Sequence, residues 1–246
     1  MFLSIDCLTI FFYLTYGVGT PAQPTASLNP NDSLFAHLGE PRRYFREAEW
    51  RGQTEALRQR FGKNKTYPQA YELPILLALS HYPELKDAHI DFVIRNRGAP
   101  ISSWPVVGSL FRAKRNWRFR ITIADSGPWA NSPAIMKNMS FNAQIGAMGH
   151  EIAHTAHFVR KSFFGMVGLG FCFISKSFHK RFEQDTDRRA IDYGLGWQLY
   201  DWSREIRGGR IKNNPEAWLD QYYLSPESIA AYMQSHNGYA GMGSQE

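Results

Sequence analysis

The pattern His150-Glu151-Ile152-Ala153-His154 constrains this chain more than any other stretch. The two histidines are four residues apart, so on a helix both imidazoles leave the same face about one turn apart. Two neutral imidazoles in that arrangement can bind one Zn²⁺ ion. Glu151 directly follows the first histidine and can accept a proton from a water molecule at the metal. The pattern therefore predicts a helix that carries two metal ligands and a general base.

The residues around the motif favour this helix. Ser140 is a candidate N-cap, because a serine hydroxyl can accept a hydrogen bond from an N–H group of the first turn. Apolar side chains recur at helical spacing before and after the motif, namely Phe141, Ile145, Met148, Ile152 and Phe158. Five-residue matches of this kind also occur by chance, so a metal site has to be supported by a second element.

An acidic segment from Glu183 to Ala190 is that second element. A catalytic zinc ion with two histidine ligands needs a third protein ligand and keeps one position open. Glu183 is the candidate third ligand, and Asp187 lies one helical turn further on, where it can accept the free ring N–H of a ligand histidine. Two alternatives stay open: an acidic surface helix without metal, and His179 as a competing third ligand.

Together the two patterns, H-E-x-x-H and E-x-x-x-D-x-x-A, resemble the gluzincin metallopeptidases of the HtpX and CAAX-prenyl-protease group. The resemblance covers about residues 118–192. The chain departs from the second family pattern at Asp185 and Thr186, where the family often shows Glu and Ala. The chain also has a shorter gap between His154 and Glu183 than many members, which carry transmembrane helices there.

The resemblance implies an α+β, zincin-like fold, rich in helices, with a small mixed sheet whose edge strand borders the active-site cleft. It implies a zinc-dependent endopeptidase that hydrolyses a polypeptide substrate through a metal-activated water. One Zn²⁺ per chain would be held by His150, His154 and Glu183, with Glu151 as general base and Asp187 supporting a ligand histidine. A catalytic site of this kind also needs an oxyanion stabiliser, for which the candidates by residue type are Tyr193, Tyr222, Tyr223 and His236.

Two segments before the motif alternate like strands. Ala88 to Ile94 is one, and Trp117 to Ala124 is the clearer, with alternate apolar side chains on one face. The alternation shows only a half-buried strand; the resemblance implies that the Trp117 to Ala124 strand is the sheet edge that pairs with an extended substrate. Residues 103–111, between the two segments, are predicted to be an apolar loop.

The predicted domain organisation places a zincin-like metallopeptidase domain at residues 67–240. A signal peptide or N-terminal anchor at 1–22, a linker at 23–32 and a helical extension at 33–66 precede it, and a flexible tail follows at 241–246. The apolar start of the chain favours a signal peptide, although it contains Asp6 and no Lys or Arg. A retained anchor and a buried helix are the alternatives. A signal peptide or anchor predicts export, to the periplasm or the membrane of a bacterium.

Residues 162–174 form a nearly continuous apolar segment with basic residues on both sides. The segment is too short to span a bilayer as a helix, which requires about 20 residues. Two interpretations follow: a buried helix or hairpin that covers the active-site helix, and an interfacial segment in peripheral contact with anionic lipid.

The net charge of +6 and the isoelectric point near 9.3 indicate an anionic partner. No nucleic-acid motif accompanies the charge, and the arginines are scattered, so lipid or acidic polypeptide surfaces rank above nucleic acid. Besides the peptidase, two other functions stay open. One is a zinc-binding protein without catalysis, and the other is a protein that interacts with membrane surfaces through its basic and aromatic segments.

Overall fold

Segments with helical and with alternating apolar periodicity are interspersed along the chain, which indicates both helices and strands. The fold is α+β with a small mixed sheet, as predicted. The computed structural model describes residues 35–96, 99–127, 130–208, 219 and 221–239. The predicted leader or anchor, linker and tail lie outside these residues. Residues from His37 onwards belong to one compact unit, which contains both the helical extension and the segments of the predicted metal site.

The elements are numbered here in chain order. The helices are α1 (Glu47–Arg51), α2 (Thr54–Phe61), α3 (Glu72–Leu79), α4 (Phe141–Val159), α5 (Phe163–Cys172), α6 (Lys176–Ala190), α7 (Gly196–Gly208) and α8 (Pro226–Gln234). The strands are β1 (Lys65–Thr66), β2 (His89–Ile94), β3 (Ile101–Pro105) and β4 (Arg118–Ile123). A turn of π-helix, Ile191–Leu195, joins α6 to α7, with Gly194 at φ +89°.

The four strands lie in the order β1-β2-β4-β3. Strands β1, β2 and β4 run parallel to one another, whereas β3 runs antiparallel to β4, with Ser103 opposite Ile121. Alternate residues of β4, beginning with Phe119, are buried. Helix α4 packs on the sheet and against α3 and α7, so it is enclosed on most sides.

Two predictions about the sheet are wrong. The strand from the Trp117 to Ala124 segment is not an edge, because β4 pairs with β2 on one side and β3 on the other. The edge strand is β3, whose residues 103–105 belong to the segment predicted as a loop. Strand β3 contains two serines and a proline, so its local β propensity is weak, and pairing with β4 over its full length decides its conformation.

The helix predicted around the metal motif is confirmed as α4. Ser140 caps it, because the Ser140 hydroxyl accepts a hydrogen bond from the Ala143 N–H at 3.3 Å. A glycine allows α4 to approach α7 closely: a Cβ atom on Gly146 would lie 2.1 Å from the carbonyl oxygen of Gln198. The backbones of the two helices are therefore in direct contact.

The N-terminal extension is less helical than predicted. In place of the predicted helical extension at 33–66, the described residues contain the short α1 and α2, separated at Gly52, and residues 37–46 form turns and irregular structure. Phe45 and Trp50 of the extension are buried, and Arg43 forms an ion pair with Asp201 of α7 at 3.0 Å. Tertiary packing, rather than helix propensity, orders this segment.

The apolar segment after α4 forms α5, which ends at Cys172. One face of α5 packs through Met166 and Leu169 into a cluster with Phe158 and Phe182, while the opposite face is exposed. Neither interpretation of this segment is complete, since the helix is buried on one side only. Within the described residues, no helix combines the length and apolar character needed to cross a membrane.

Candidate metal centre

Three donor atoms from α4 and α6 converge in the interior of the protein. His150 Nε2 lies 3.1 Å from His154 Nε2 and 3.1 Å from Glu183 Oε2, and His154 Nε2 lies 3.2 Å from the same carboxylate oxygen. All three side chains are buried. The helical spacing brings the histidines together, and the packing of α6 against α4 adds the carboxylate. This buried group can bind a metal ion.

The separations of the donors can be compared with those of a known coordination geometry. In a tetrahedral zinc site with bonds of about 2.0–2.1 Å, the donor atoms lie about 3.3–3.4 Å apart. The three separations of 3.1, 3.1 and 3.2 Å are within a few tenths of an ångström of that distance. Two imidazoles and a carboxylate also leave one tetrahedral position for a further ligand. The spacing of the three donor atoms is therefore compatible with a tetrahedral metal ion such as zinc.

The structure places Asp187 in contact with the first histidine. Its Oδ1 atom lies 2.8 Å from His150 Nδ1, and its Oδ2 atom accepts a hydrogen bond from the Leu224 N–H at 2.7 Å. A carboxylate can only accept from His150 Nδ1, so the proton of a neutral His150 ring lies on Nδ1 and leaves Nε2 free for a metal. Asp187 also joins α6 to the segment before α8.

Thr186, which was not predicted as a site residue, contacts the ring of the second histidine. The Thr186 hydroxyl lies 2.8 Å from the Phe182 carbonyl oxygen and 3.2 Å from His154 Nδ1. Its single proton is donated to the carbonyl, so the hydroxyl oxygen accepts from the Nδ1–H of His154. His154 Nε2 is then free as well. The sequence held one signal for this contact: Thr186 stands where the family that the chain resembles often shows Ala.

The charges of His150 and Glu183 depend on each other. Burial lowers the pKa of His150, but hydrogen bonds with Asp187 and Glu183 outweigh it and raise that pKa to about 10. Burial raises the pKa of Glu183, but the neighbouring histidines have a larger, opposite effect and hold that pKa well below its usual range. The carboxyl group therefore stays ionised. The ionised carboxylate of Glu183 thus lies against a protonated His150 ring, and a divalent cation can take the place of that proton.

His179 is not part of the donor group. His179 Nε2 lies 3.2 Å from Glu183 Oε1, the oxygen on the other side of the carboxylate from the histidine pair. The structure therefore places Glu183, and not His179, beside His150 and His154. The partly buried His179 ring can fix the rotamer of Glu183.

Glu151 lies beside the donors without joining them. Its side chain is buried, and its Oε2 atom has no hydrogen-bond partner among the described residues. Burial raises the pKa of Glu151, and the charges of His154 and His150 oppose that shift. A buried carboxylate oxygen without a partner is costly unless a ligand or water occupies the space before it.

The four candidates for an oxyanion stabiliser lie in different places. The Tyr223 ring is 5.4 Å from the His150 ring, and the Tyr222 ring is 4.9 Å from the His179 ring. The other two are engaged elsewhere: Tyr193 with Glu84 and Arg160, and His236 with Asp192 and Tyr232. Burial, followed by the charges of Glu183, Glu151 and Asp187, raises the pKa of Tyr223 well above its usual value, so its phenol remains protonated.

No protein-family model, no curated protein and no solved structure matches this chain. The chemistry of the site has to be inferred from its own side chains.

Proposed function

We propose that this protein is a zinc-dependent endopeptidase with a zincin-like arrangement of helix and sheet. The observation that carries the proposal is the buried donor group of His150, His154 and Glu183, with the unpartnered carboxylate of Glu151 beside it. A structural metal site has no need for that carboxylate. A hydrolytic site requires a base in this position.

Zinc, when bound, would supply an acidified water and a Lewis acid that polarises the substrate carbonyl. Glu151 accepts one proton of the attacking water while the hydroxyl adds to the carbonyl carbon. It then delivers that proton to the amine nitrogen as the C–N bond breaks, so that one water is consumed for each peptide bond.

Tyr223 is the best-placed group to stabilise the oxyanion. Its ring lies against His150, and its phenol keeps its proton because burial and three carboxylates raise its pKa. A protonated phenol can donate a hydrogen bond to the carbonyl oxygen as negative charge develops there. Tyr222 is less well placed, because its ring lies against His179, which is not a member of the donor group.

The edge strand β3 provides a place for an extended polypeptide. Hydrogen bonds from Val106 N–H to Arg118 C=O and from Ala124 N–H to Pro100 C=O fix the alternation of the ladder. By this alternation the N–H and C=O groups of Ile101 and Ser103 face the open edge. The Ser103 hydroxyl lies 2.9 Å from that of Thr155, the residue after a metal ligand, so this edge adjoins the site helix. A substrate strand can therefore add to the sheet beside the proposed zinc ion.

The metal site is tested by the zinc content of the purified full chain beside two variants. We expect about one zinc ion per chain, as in other single catalytic sites. Glu183→Ala should lose most of it, whereas His179→Ala, which removes a neighbour of the same carboxylate, should retain it. If His179→Ala loses zinc and Glu183→Ala keeps it, the ligand assignment is wrong.

The catalytic role is tested by Glu151→Gln, which keeps the shape of the side chain but removes the base. The variant should bind zinc as the wild type does and lose hydrolysis of an unfolded polypeptide by a factor of about 10² to 10⁴. Hydrolysis at the wild-type rate would refute the mechanism. Zinc binding without hydrolysis in the wild type would instead support a non-catalytic zinc protein.

A further inference from the structure

Helix α5 exposes an apolar surface of unusual size for this protein. Phe164 and Ile174 are each 82% exposed and Phe171 is 69% exposed. Nine large hydrophobic side chains are exposed in the described part of the chain, and seven of them come from β3 to Phe111 or from α5 and the turn after it. Single exposed apolar residues are ordinary, but a cluster of this kind marks an interaction site.

The two contributing segments are in contact. The Phe111 ring lies 5.5 Å from the Phe163 ring, and the Trp104 ring lies 5.6 Å from the Phe173 ring. We call the resulting face the α5 surface, and its exposed members are Trp104, Val107, Phe111, Phe164, Val167, Phe171 and Ile174. The surface is the outer side of a helix whose inner side packs on the core, so its side chains point outward.

The two segments that form the α5 surface carry charge of one sign. Residues 100–124 and 152–182 each contain five Lys or Arg residues and no Asp or Glu. In the described part of the chain, only Arg118, Arg120 and Arg160 among these ten cations form ion pairs with carboxylates. The remaining seven cations belong to the same two segments as the exposed apolar side chains and have no carboxylate partner among the described residues, so they can attract an anionic partner.

These observations favour one kind of occupant. Exposed aromatic and aliphatic side chains with unpaired lysines and arginines in the same segments match the headgroup region of an anionic bilayer. A second copy of this chain fits less well, because pairing the α5 surface with itself would bring like charges together. A folded acidic protein would require a complementary cavity for the exposed side of the helix.

We propose that the α5 surface docks on an anionic lipid bilayer. Phe164, Phe171 and Ile174 enter the boundary between headgroups and acyl chains, and Lys176 and Lys180 of α6 contact lipid phosphates. Trp104 belongs both to this surface and to the edge strand β3, so docking holds that strand at the membrane. If the proposed peptidase function also holds, its substrates are polypeptide segments close to a bilayer surface. The docking itself does not depend on that function.

The test uses the full chain with a fluorescent reporter in the α5 surface. The chain has two cysteines, and Cys172, at the end of α5, is exposed, so a Cys7→Ser background directs an environment-sensitive fluorophore to that position. The probes are phosphatidylcholine vesicles with and without phosphatidylserine. With phosphatidylserine, the emission should shift to the blue and be quenched by nitroxide groups on the lipid chains, and high salt should weaken both effects. A reporter at this site distinguishes docking of α5 from binding through residues 1–22.

Two pairs of variants separate the apolar and the ionic contributions. Phe164→Ser with Phe171→Ser should weaken the vesicle titration at least tenfold. Lys176→Gln with Lys180→Gln should weaken it by more than tenfold, since each cation near an anionic surface contributes roughly a factor of five. All four side chains are exposed, so thermal melting should be unchanged.

The matched controls replace exposed residues elsewhere, Tyr44→Ser for the aromatic pair and Lys86→Gln with Lys137→Gln for the lysine pair. Controls should bind as the wild type does. An unshifted emission with anionic vesicles, or equal loss in controls and variants, overturns the proposal. Self-association without lipid that the Phe164→Ser, Phe171→Ser variant abolishes would assign the surface to a second copy. None of these readings measures hydrolysis, so failure of docking leaves the peptidase proposal to its own tests.

Discussion

Thr186 offers a sharp test of how the site prepares its histidines for metal. Thr186→Val removes one oxygen and keeps the shape of a fully buried side chain. In the variant, His154 Nδ1 loses the acceptor at 3.2 Å that now holds the ring proton on that nitrogen. The proton can then move to Nε2, where it competes directly with a metal ion.

The magnitude follows from the hydrogen bonds that are lost. A neutral hydrogen bond is worth about 1 kcal/mol, which corresponds to about fivefold in affinity, and loss of a partner of a ligand histidine weakens metal binding about 10- to 100-fold. We expect the zinc affinity to fall about tenfold. The bond to the Phe182 carbonyl adds little to stability, because that oxygen is also the helical acceptor four residues back. The free energy of unfolding of the metal-free protein should therefore change by less than about 1 kcal/mol.

The assay is competition with a chromophoric chelator, with urea unfolding of the metal-free chain beside it. Thr155→Val is the matched control, because Thr155 is equally buried and lies next to His154, but its hydroxyl contacts Ser103 at 2.9 Å and not a histidine. The control should bind zinc as the wild type does. Equal affinities in Thr186→Val and the wild type would refute the role of the hydroxyl, and equal losses in both variants would point to general disturbance of α4.

Three further predictions concern packing, pH and metal exchange. In urea titrations, Gly146→Ala should lower the free energy of unfolding by about 3 kcal/mol or more, because its Cβ would lie 2.1 Å from a carbonyl oxygen of α7. Gly168→Ala is the control: its Cβ would meet nothing within 4 Å, so this variant should be neutral or stabilising by up to about 1 kcal/mol. Burial lowers the pKa of His81 to about 4, so below about pH 6.5 the unfolded chain binds a proton that the folded chain does not. The free energy of unfolding should therefore fall by up to about 3 kcal/mol towards pH 4. Unfolding at a series of pH values should show this fall, and His81→Asn should flatten it. The pKa of His150 near 10 means that zinc must displace a proton, so calorimetry in buffers of different ionisation enthalpy should detect proton release on binding, and the affinity should rise with pH up to about pH 10; an affinity independent of pH would contradict this.

Local periodicity carried most of what the sequence could predict. Two histidines at a spacing of four residues must share a helix face once α4 forms, and α4 is well specified by its cap and apolar stripe. The same reasoning placed Asp187 one turn after Glu183 on α6. Strands β2 and β4 were predicted because alternation of apolar residues is a property of a few consecutive residues. No such local property distinguishes β3, whose conformation depends on pairing with β4 across a turn.

The role of Thr186 could not be predicted for a related reason. A threonine inside a helix ordinarily bonds to its own backbone, as Thr186 also does with Phe182. Its second contact, with His154, depends on the distance between α4 and α6, which the close packing of the helices determines. The choice between Tyr223 and the other oxyanion candidates likewise depends on where the segment before α8 crosses the site.

The open edge of β3 also affects how this protein avoids aggregation. An unpaired strand edge can recruit the edge of another molecule and so start a continuous intermolecular sheet. Strand β3 is only five residues long and ends at Pro105, which has no N–H to offer, so the edge can hold a short segment but cannot extend into a long ladder. The edge is thus long enough for transient pairing with one chain and too short to template a fibre.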